Sequence, residues 1–143
     1  TPQGEVLNIS FTHDFSSWFG TKDIPWPTQE SWTGLKFGLG SQPISIPQGF
    51  LIVSHGVDMN KVYRLGLMLF DRKDPSRLLW HAGPILEPET PYEKEGFVPN
   101  VVYTCGALLK GDELWIYYGG ADRVIARAII SIPDIEYAIE ASR

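Results

Sequence analysis

The sequence predicts an all-β protein made of repeated antiparallel units, with one short helix near its C-terminal end. Short runs of alternating or β-branched apolar residues are separated by turns rich in glycine and proline, which number 14 and 11 among the 143 residues. The order strand, tight turn, strand, loop, strand occurs twice, at a spacing of about 60 residues, which is typical of β-propeller blades. The chain holds about two and a half such blocks, so the predicted fold is part of a propeller.

The positions of apolar and β-branched residues predict nine strands. Turn residues mark several of their ends: Pro47 stands at the first central position of a turn, Asp-Pro-Ser at 74–76 is a turn signal, and Lys-Gly-Asp at 110–112 predicts a hairpin. The predicted strands are residues 5–12, 35–39, 43–46, 50–55, 62–71, 78–81, 101–109, 113–119 and 124–132.

Two proline-containing segments are predicted to be long connections. Residues 20–31 contain Pro25 and Pro27 on either side of Trp26, which excludes a central strand and most helices. We expect Trp26 either to fold back onto the core or to lie exposed for a ligand. Residues 82–99 contain four prolines and predict an ordered loop, and a loop of this length in a compact domain is usually functional.

One helix is predicted, over residues 133–141. Pro133 suits the first turn of a helix, and Asp134 is favourable at the positive end of the helix dipole. Ile135, Ala138 and Ile139 then share one apolar face. We therefore expect this segment to pack on the sheets through that face.

Length and charge limit the possible functions. A chain of 143 residues is expected to form a single domain, residues 1–143, with a sizeable core. Its net charge of −5 argues against nucleic acid as a partner, because binding to the phosphate backbone requires a basic surface. The single cysteine, Cys105, cannot form an internal disulfide, and no apolar run approaches the roughly 20 residues needed to cross a bilayer. These features predict a cytoplasmic protein without a membrane segment.

Lys36 and His55 are the first candidates for ligand binding. Lys36 lies between Gly34 and Gly38, where small neighbours leave its ammonium group accessible, so it suits a phosphate. A surface lysine without a ligand is the alternative. His55 ends an apolar run at the edge of a predicted strand, where binding sites are often built, although a structural histidine is equally consistent with this position.

Tyr63 and Arg64 are adjacent in a predicted strand, so their side chains face opposite sides of the sheet. Arginine suits bidentate phosphate binding, and tyrosine can donate a hydrogen bond or stack on a sugar. Only one of the two can face a given cavity unless a bulge intervenes. The alternative is that both make cross-strand structural contacts.

Glu93 and Asp122 are the acidic candidates. Glu93 lies in the proline-containing connection, and Asp122 follows the glycine-rich corner after the aromatic strand WIYYGGA. Glycosyl transfer requires positioned carboxyl groups, so both are candidates for sugar binding, and a turn-forming role is the alternative for Asp122. Three histidines at positions 13, 55 and 81 and one cysteine give no metal-binding spacing, and GLGSQ lacks the following helix of a nucleotide site.

Four segments in consecutive order resemble a known enzyme family. They are WTGLKFGLGSQPISIPQGFLIVSHGV, YRLGLMLFDRKDPSRLL, GPILEPETPYEKEGFVPNVVYTCGALL and LWIYYGGADRVIARAII. From about Ile9 onward the chain is similar to the C-terminal half of glycoside hydrolase family 130, the β-1,4-mannoside and mannosylglucose phosphorylases. The resemblance implies a five-bladed β-propeller and an inverting reaction in which inorganic phosphate attacks a β-mannoside and gives α-mannose 1-phosphate.

The resemblance also implies roles for individual residues. Lys36 resembles a phosphate ligand, His55 a phosphate or mannose contact, Tyr63 a further active-site contact and Asp122 the carboxylate that holds mannose hydroxyls. Arg64 and Glu93 match motif positions as well, Arg64 on the phosphate side and Glu93 on the sugar side. Phosphate is expected as co-substrate, with no cofactor and no metal.

The chain differs from the family pattern in one respect that bears on activity. The catalytic acid of the family is an aspartate in the N-terminal half, near Asn-Pro and Glu-Asp-Arg type motifs, and no such motif occurs here. No catalytic residue is therefore assigned, and little turnover is expected from this chain alone, because an acid typically contributes on the order of a hundredfold or more. A non-catalytic carbohydrate-binding module and an assembly module remain alternatives. Expected partners are a β-mannoside oligosaccharide, phosphate, and a second copy or a missing N-terminal half.

Overall fold

Three antiparallel sheets make up most of the structure, which is a computed structural model describing residues 7–24 and 30–142. The first sheet pairs β1 (Leu7–Thr12) with β2 (Trp18–Ile24). The second has the order β3-β5-β6-β7, and β4 also pairs with β5; its strands are β3 (Lys36–Leu39), β4 (Ile44–Ile46), β5 (Gly49–Val57), β6 (Tyr63–Phe70) and β7 (Leu78–Leu86). The third has the order β10-β9-β8, with β8 (Val102–Lys110), β9 (Glu113–Gly120) and β10 (Val124–Ser131).

The helices are short. A single 3-10 turn spans Ser31–Thr33, α1 covers Pro91–Lys94, and α2 covers Ile132–Ala141. Helix α2 confirms the predicted terminal helix. The Ser131 hydroxyl accepts a hydrogen bond from the Asp134 backbone N–H at 3.3 Å, which caps its first turn. None of the helices among the described residues is long and apolar enough to cross a membrane.

The second sheet is buried on both of its faces, which explains the apolar character of β5 and β6. One face packs against the third sheet and α2, and the other packs against the first sheet. Because both faces are covered, apolar residues stand at successive positions instead of alternating with polar ones. The first face contributes Leu51, Val53, Leu65, Leu67 and Leu69, and the second contributes Ile52, Met68 and Phe70.

Trp32 fills a shallow trough in the second face. A Cβ atom placed on Gly56, Gly66 or Gly83 would lie 2.5 to 2.7 Å from the indole ring. These glycines therefore allow the ring to lie directly on three neighbouring strands. The fit leaves Trp32 8% exposed and explains why glycines occur inside strands that are otherwise apolar.

Two predicted connections differ from the structure. The segment predicted as loop from residue 20 onward instead continues strand β2 as far as Ile24, paired to β1. Strand β7, predicted to end at His81, extends to Leu86 through Pro84. A proline is accepted there because β7 is an edge strand and its pairing with β6 shifts register between Leu65 and Leu67. Trp26 lies outside the described residues, as do the first two residues of the predicted strand 5–12.

Candidate functional site

Lys36, His55 and Tyr63 lie on the same face of the second sheet. Lys36 pairs with Val57, which pairs with Tyr63, and Gly38 pairs with His55, which pairs with Leu65. Directly paired residues project from the same face, as do residues two apart on one strand. Three of the four candidates predicted for the phosphate side therefore share one face of the sheet. Their face is the one that packs against the third sheet.

Tyr103, on strand β8 of the third sheet, completes this group and was not predicted. Its ring centroid lies 4.8 Å from that of His55 and 6.4 Å from that of Tyr63. The ring stays 40% exposed, although its strand neighbours Val102 and Thr104 are buried. In the sequence, Tyr103 stands at an alternating strand position between Val102 and Thr104, which is the signal that could have marked it. The position of its ring beside Tyr63 depends on the docking of β8 against β6 and cannot be read from that pattern.

His55 is buried in a neutral form. Its ring lies over Gly38, where an added Cβ would come within 2.7 Å of Cε1 and 2.8 Å of Nε2. Burial, together with the nearby positive charge of Lys36, lowers the pKa of His55 from 6.5 to about 4. Nδ1 is buried and has no hydrogen-bond partner in the described part of the chain. Because Nδ1 is shielded from solvent, a ligand contact of the neutral imidazole would have to be made through Nε2.

A cleft of about 510 Å³ opens beside this group. Lys36 and Tyr63 belong to both, whereas His55 and Tyr103 are not among the residues that line the cleft. Lys36 and Lys61 give the cleft its charge. None of its lining residues in the described chain is acidic, although the whole protein carries a net charge of −5. The cleft therefore suits an anion. Its lining residues are Leu35, Lys36, Val57, Asn60, Lys61, Tyr63, Val98, Pro99 and Asn100.

Arg64 lies on the opposite face of the sheet and does not reach this cleft. Its Nη1 donates to Asp58 Oδ2 at 2.7 Å, and its Nε donates to Glu87 Oε1 at 2.6 Å. Burial alone would raise the pKa of Asp58, but hydrogen bonds from Arg64 and from the Val62 and Asn60 backbone hold it below its usual value. The guanidinium group is thus engaged by two carboxylates. The adjacent positions of Tyr63 and Arg64 in one strand had predicted only that the two side chains face opposite sides of the sheet.

Glu93 is a buried anchor rather than an open carboxylate. Oε1 accepts a hydrogen bond from the Tyr118 hydroxyl at 2.6 Å, and Oε2 accepts from the backbone N–H groups of Glu89 and Thr90 at 2.8 and 2.9 Å. Burial alone would raise the pKa of Glu93, but these hydrogen bonds outweigh it and lower the pKa. Both oxygens are occupied and the residue is 3% exposed, so the structure does not place it as a sugar ligand.

Asp122 is exposed in the tight turn between β9 and β10. Ala121 and Asp122 both adopt left-handed backbone angles, with φ of 47° and 51°, and the Arg123 N–H donates to the Gly120 carbonyl at 3.0 Å. The angles and this hydrogen bond are those of a type I′ β-turn, and the pairing of Val124 with Gly120 leaves residues 121–123 between the two strands. The Ala121 carbonyl accepts from the Val98 N–H at 3.2 Å. The turn that carries Asp122 is thereby tied to the cleft wall.

Comparison with known proteins defines the class of this propeller. A family model described as beta-1,4-mannooligosaccharide phosphorylase matches residues 8–139. The chain belongs to glycoside hydrolase family 130. Among the described residues, no group of three or more His, Cys, Asp or Glu side chains is arranged to hold a metal ion.

Individual relatives are mannoside phosphorylases. The chain is 43% identical over 130 residues to the 1,2-beta-oligomannan phosphorylase of Thermoanaerobacter sp. (strain X514), covering 90% of this chain and 44% of that protein. It is 30% identical over 141 residues to the beta-1,4-mannooligosaccharide phosphorylase of Ruminococcus albus, covering 94% of this chain and 42% of that protein. The chain thus spans less than half the length of these relatives.

Solved structures confirm the predicted fold class. The beta-1,2-mannobiose phosphorylase of Listeria innocua, solved with beta-1,2-mannobiose, matches with a TM-score of 0.89 and 33% identity, over 99% of this chain and 40% of that one. A family 130 structure reported with hydrolases that target beta-1,2 mannosidic linkages matches with a TM-score of 0.73 at 22% identity, over 87% and 40%. The structure is all-β, part of a five-bladed β-propeller, and ends in a short helix.

Proposed function

We propose that this chain forms the phosphate-binding wall of a mannoside phosphorylase, and that the complete enzyme cleaves β-mannoside oligosaccharides by inverting phosphorolysis. The observation that carries the proposal is the cleft lined by Lys36 and Lys61, with no acidic residue among its described lining residues. A lysine ammonium group is a common phosphate ligand. The names of the relatives support the same substrate class.

The reaction joins phosphate to the sugar as the glycosidic bond breaks. An oxygen of inorganic phosphate forms a bond to the anomeric carbon, and the bond from that carbon to the leaving oxygen breaks on the opposite side. The leaving oxygen takes up a proton and departs as the hydroxyl of the shortened acceptor, while the other product is α-mannose 1-phosphate. Lys36 and the hydroxyls of Tyr63 and Tyr103 hold the phosphate for this attack, and neutral His55 adds one further hydrogen bond.

The charge of the cleft favours phosphorolysis over hydrolysis. An inverting hydrolase needs a carboxylate near the anomeric carbon to activate water. The described cleft has cations at that wall and no carboxylate, so phosphate replaces both the water and the base. Asp122 is exposed on the turn between β9 and β10, and we assign it to bind the mannose hydroxyl groups. Its carboxylate would accept hydrogen bonds from them.

The proton donor lies outside this group of residues. None of the cleft residues is acidic, and both carboxylate oxygens of Glu93 are engaged by protein donors. The chain alone is therefore proposed to bind phosphate and sugar phosphate with little turnover. A cytoplasmic location is part of the same proposal, since the one cysteine, Cys105, forms no internal disulfide.

Calorimetric titration with mannose 1-phosphate and with inorganic phosphate tests the proposal. Lys36→Ala should weaken binding of both by about tenfold or more, because a charged hydrogen bond is lost. Lys73→Ala is the matched control: it removes the same charge from an exposed turn that follows the far end of β6. No binding by the unchanged chain, or equal binding by the Lys36→Ala variant, would overturn the assignment of this wall.

A further inference from the structure

Asn100 is a polar cleft residue whose side chain has no hydrogen bond within the described part of the chain. It lines the cleft together with Lys36 and Tyr63 and is exposed. Its backbone adopts a left-handed conformation with φ of 59°, which is uncommon for any residue other than glycine. Left-handed residues of this kind occur frequently at binding sites, where the surrounding structure holds them.

The backbone of Asn100 is fixed on both sides. Its carbonyl accepts a hydrogen bond from the Tyr63 N–H at 3.0 Å, which joins it to β6 of the second sheet. The next residue, Val101, donates to the Glu93 carbonyl at 3.0 Å and accepts from the Ala121 N–H at 2.9 Å. Val101 is only 3% exposed. The backbone of Asn100 is therefore held at one place on the cleft wall by two sheets and the buried Glu93 segment, and its side chain starts from that fixed point.

We infer that the side-chain amide of Asn100 donates a hydrogen bond to the phosphate group in this cleft. The inference rests on the proposed function and assigns it a further ligand. Of the three wall residues 98–100, the first two have apolar side chains, Val98 and Pro99, so Asn100 supplies the polar side chain of that wall. Lys36 and Lys61, which line the same cleft, favour an anion, and the Asn100 amide adds an uncharged N–H donor without a negative charge.

A purely conformational role gives a different expectation. Asparagine tolerates the left-handed region better than most residues, and glycine tolerates it better still. If Asn100 served only its backbone conformation, glycine would serve as well. Asn100→Gly therefore separates the two roles, because it preserves the backbone and removes the amide. Asn100→Asp keeps a side chain of the same shape and places a carboxylate beside the anion.

The experiment is titration of the chain and its variants with inorganic phosphate, accompanied by thermal unfolding of each protein. We expect Asn100→Gly to weaken phosphate binding by about tenfold, and Asn100→Asp to weaken it further through repulsion. Thermal midpoints should show that both variants are folded at the temperature of the titration. Raising the salt concentration should reduce the extra loss in Asn100→Asp, because that part is electrostatic.

The outcomes distinguish this inference from the proposal it rests on. Phosphate binding by Asn100→Gly at the strength of the unchanged chain would overturn the inference and leave the lysine cleft in place. Failure of the unchanged chain to bind phosphate would overturn both. Titration with mannose in the absence of phosphate is a further measurement. The Asn100→Gly variant should bind mannose as strongly as the unchanged chain does. An equal loss of affinity for mannose and for phosphate would refute a phosphate-specific contact.

Discussion

His55 shows how one buried residue can link the site to the stability of the protein. Its ring lies against Gly38 and Tyr103 with 6% exposure, and its pKa falls to about 4 because of burial and the charge of Lys36. The unfolded chain, with an ordinary histidine pKa of 6.5, binds a proton more readily than the folded protein. The site therefore keeps its imidazole neutral at the expense of stability in acid.

This difference predicts a stability loss on the order of 3 kcal/mol as the pH falls from about 6.5 to about 4. Below that window the folded protein also binds the proton and the loss stops. Urea unfolding across this range should show the slope, and His55→Gln should reduce it. Asp58 and Glu93 have lowered pKa values, so the stability that their ionised carboxylates provide is lost only at lower pH, where these groups take up protons. An unchanged slope in the variant would rule out His55 as its source.

Single residues also show what local sequence rules can and cannot predict. Alternation along a strand was enough to predict that Tyr63 and Arg64 diverge, and paired strands brought Lys36, His55 and Tyr63 onto one face. Tyr103 and Asn100 were not predicted, because their positions depend on the third sheet docking beside β6. The parallel bridge between Tyr63 and Val101 creates that contact, and no short-range pattern encodes it.

Among the elements, the segment between β7 and β8 depends on the Glu93 carboxylate. That group closes the capping box of α1 through its contacts with the Thr90 and Glu89 backbone and also holds the Tyr118 hydroxyl. Burial and the Glu93 carboxylate raise the pKa of Tyr118, so the phenol remains a donor. The segment that forms the cleft wall is therefore anchored to β9 of the third sheet.

Glu93→Gln should destabilise the protein by about 1 to 3 kcal/mol, since a neutral amide offers one acceptor where the carboxylate serves three donors. Tyr118→Phe removes one of those hydrogen bonds and should cost less. Urea unfolding of both variants and of the double variant measures the coupling between them. A Glu93→Gln protein as stable as the unchanged chain would mean that the carboxylate contributes little to this anchor.

Elements that carry their own turn or capping residues were predicted correctly, whereas strands β2 and β7 were not predicted in full. The Gly111-Asp112 hairpin and helix α2 carry their own local signals, and both are present. Most side chains of strand β2 are exposed, and few of its residues are apolar. The sequence of β2 therefore has no alternation of apolar and polar residues from which its pairing with β1 could be predicted. Strand β7 passes through Pro84, a residue that would end a central strand but is accepted at an edge.

At the scale of the whole molecule, the outer face of the third sheet is apolar and uncovered. Ile125 is 87% exposed, Ile129 45%, Leu108 44% and Tyr117 42%. On the same face, Trp115 lies under Lys110 and Arg127, with the cations 4.1 and 4.0 Å from its ring centroid. Large apolar side chains exposed together on one sheet face promote association, even though Lys110 and Arg127 lie among them. The relatives that this chain matches are more than twice its length.

We expect the chain to self-associate through this face. Sedimentation velocity at increasing protein concentration should show larger species for the unchanged chain, and Ile125→Lys should shift the distribution toward monomer. Tyr137→Lys is the matched control, because it adds the same charge at a 75% exposed position on α2, away from the sheet face. A concentration-independent monomer for the unchanged chain would contradict this expectation, and so would equal effects of the two substitutions.

The docking of β8 beside β6 has a thermodynamic consequence for the ligand. Lys36, His55 and Tyr63 belong to one sheet, Tyr103 belongs to another, and Asn100 lies on the segment between them. A ligand held by all of them has no binding site in a chain whose two sheets have separated. Occupancy of the cleft must then favour the joined arrangement by a free energy that grows with ligand concentration. If phosphate binds in the cleft as proposed, it stabilises the packing of the two sheets, and that stability rises with the phosphate concentration.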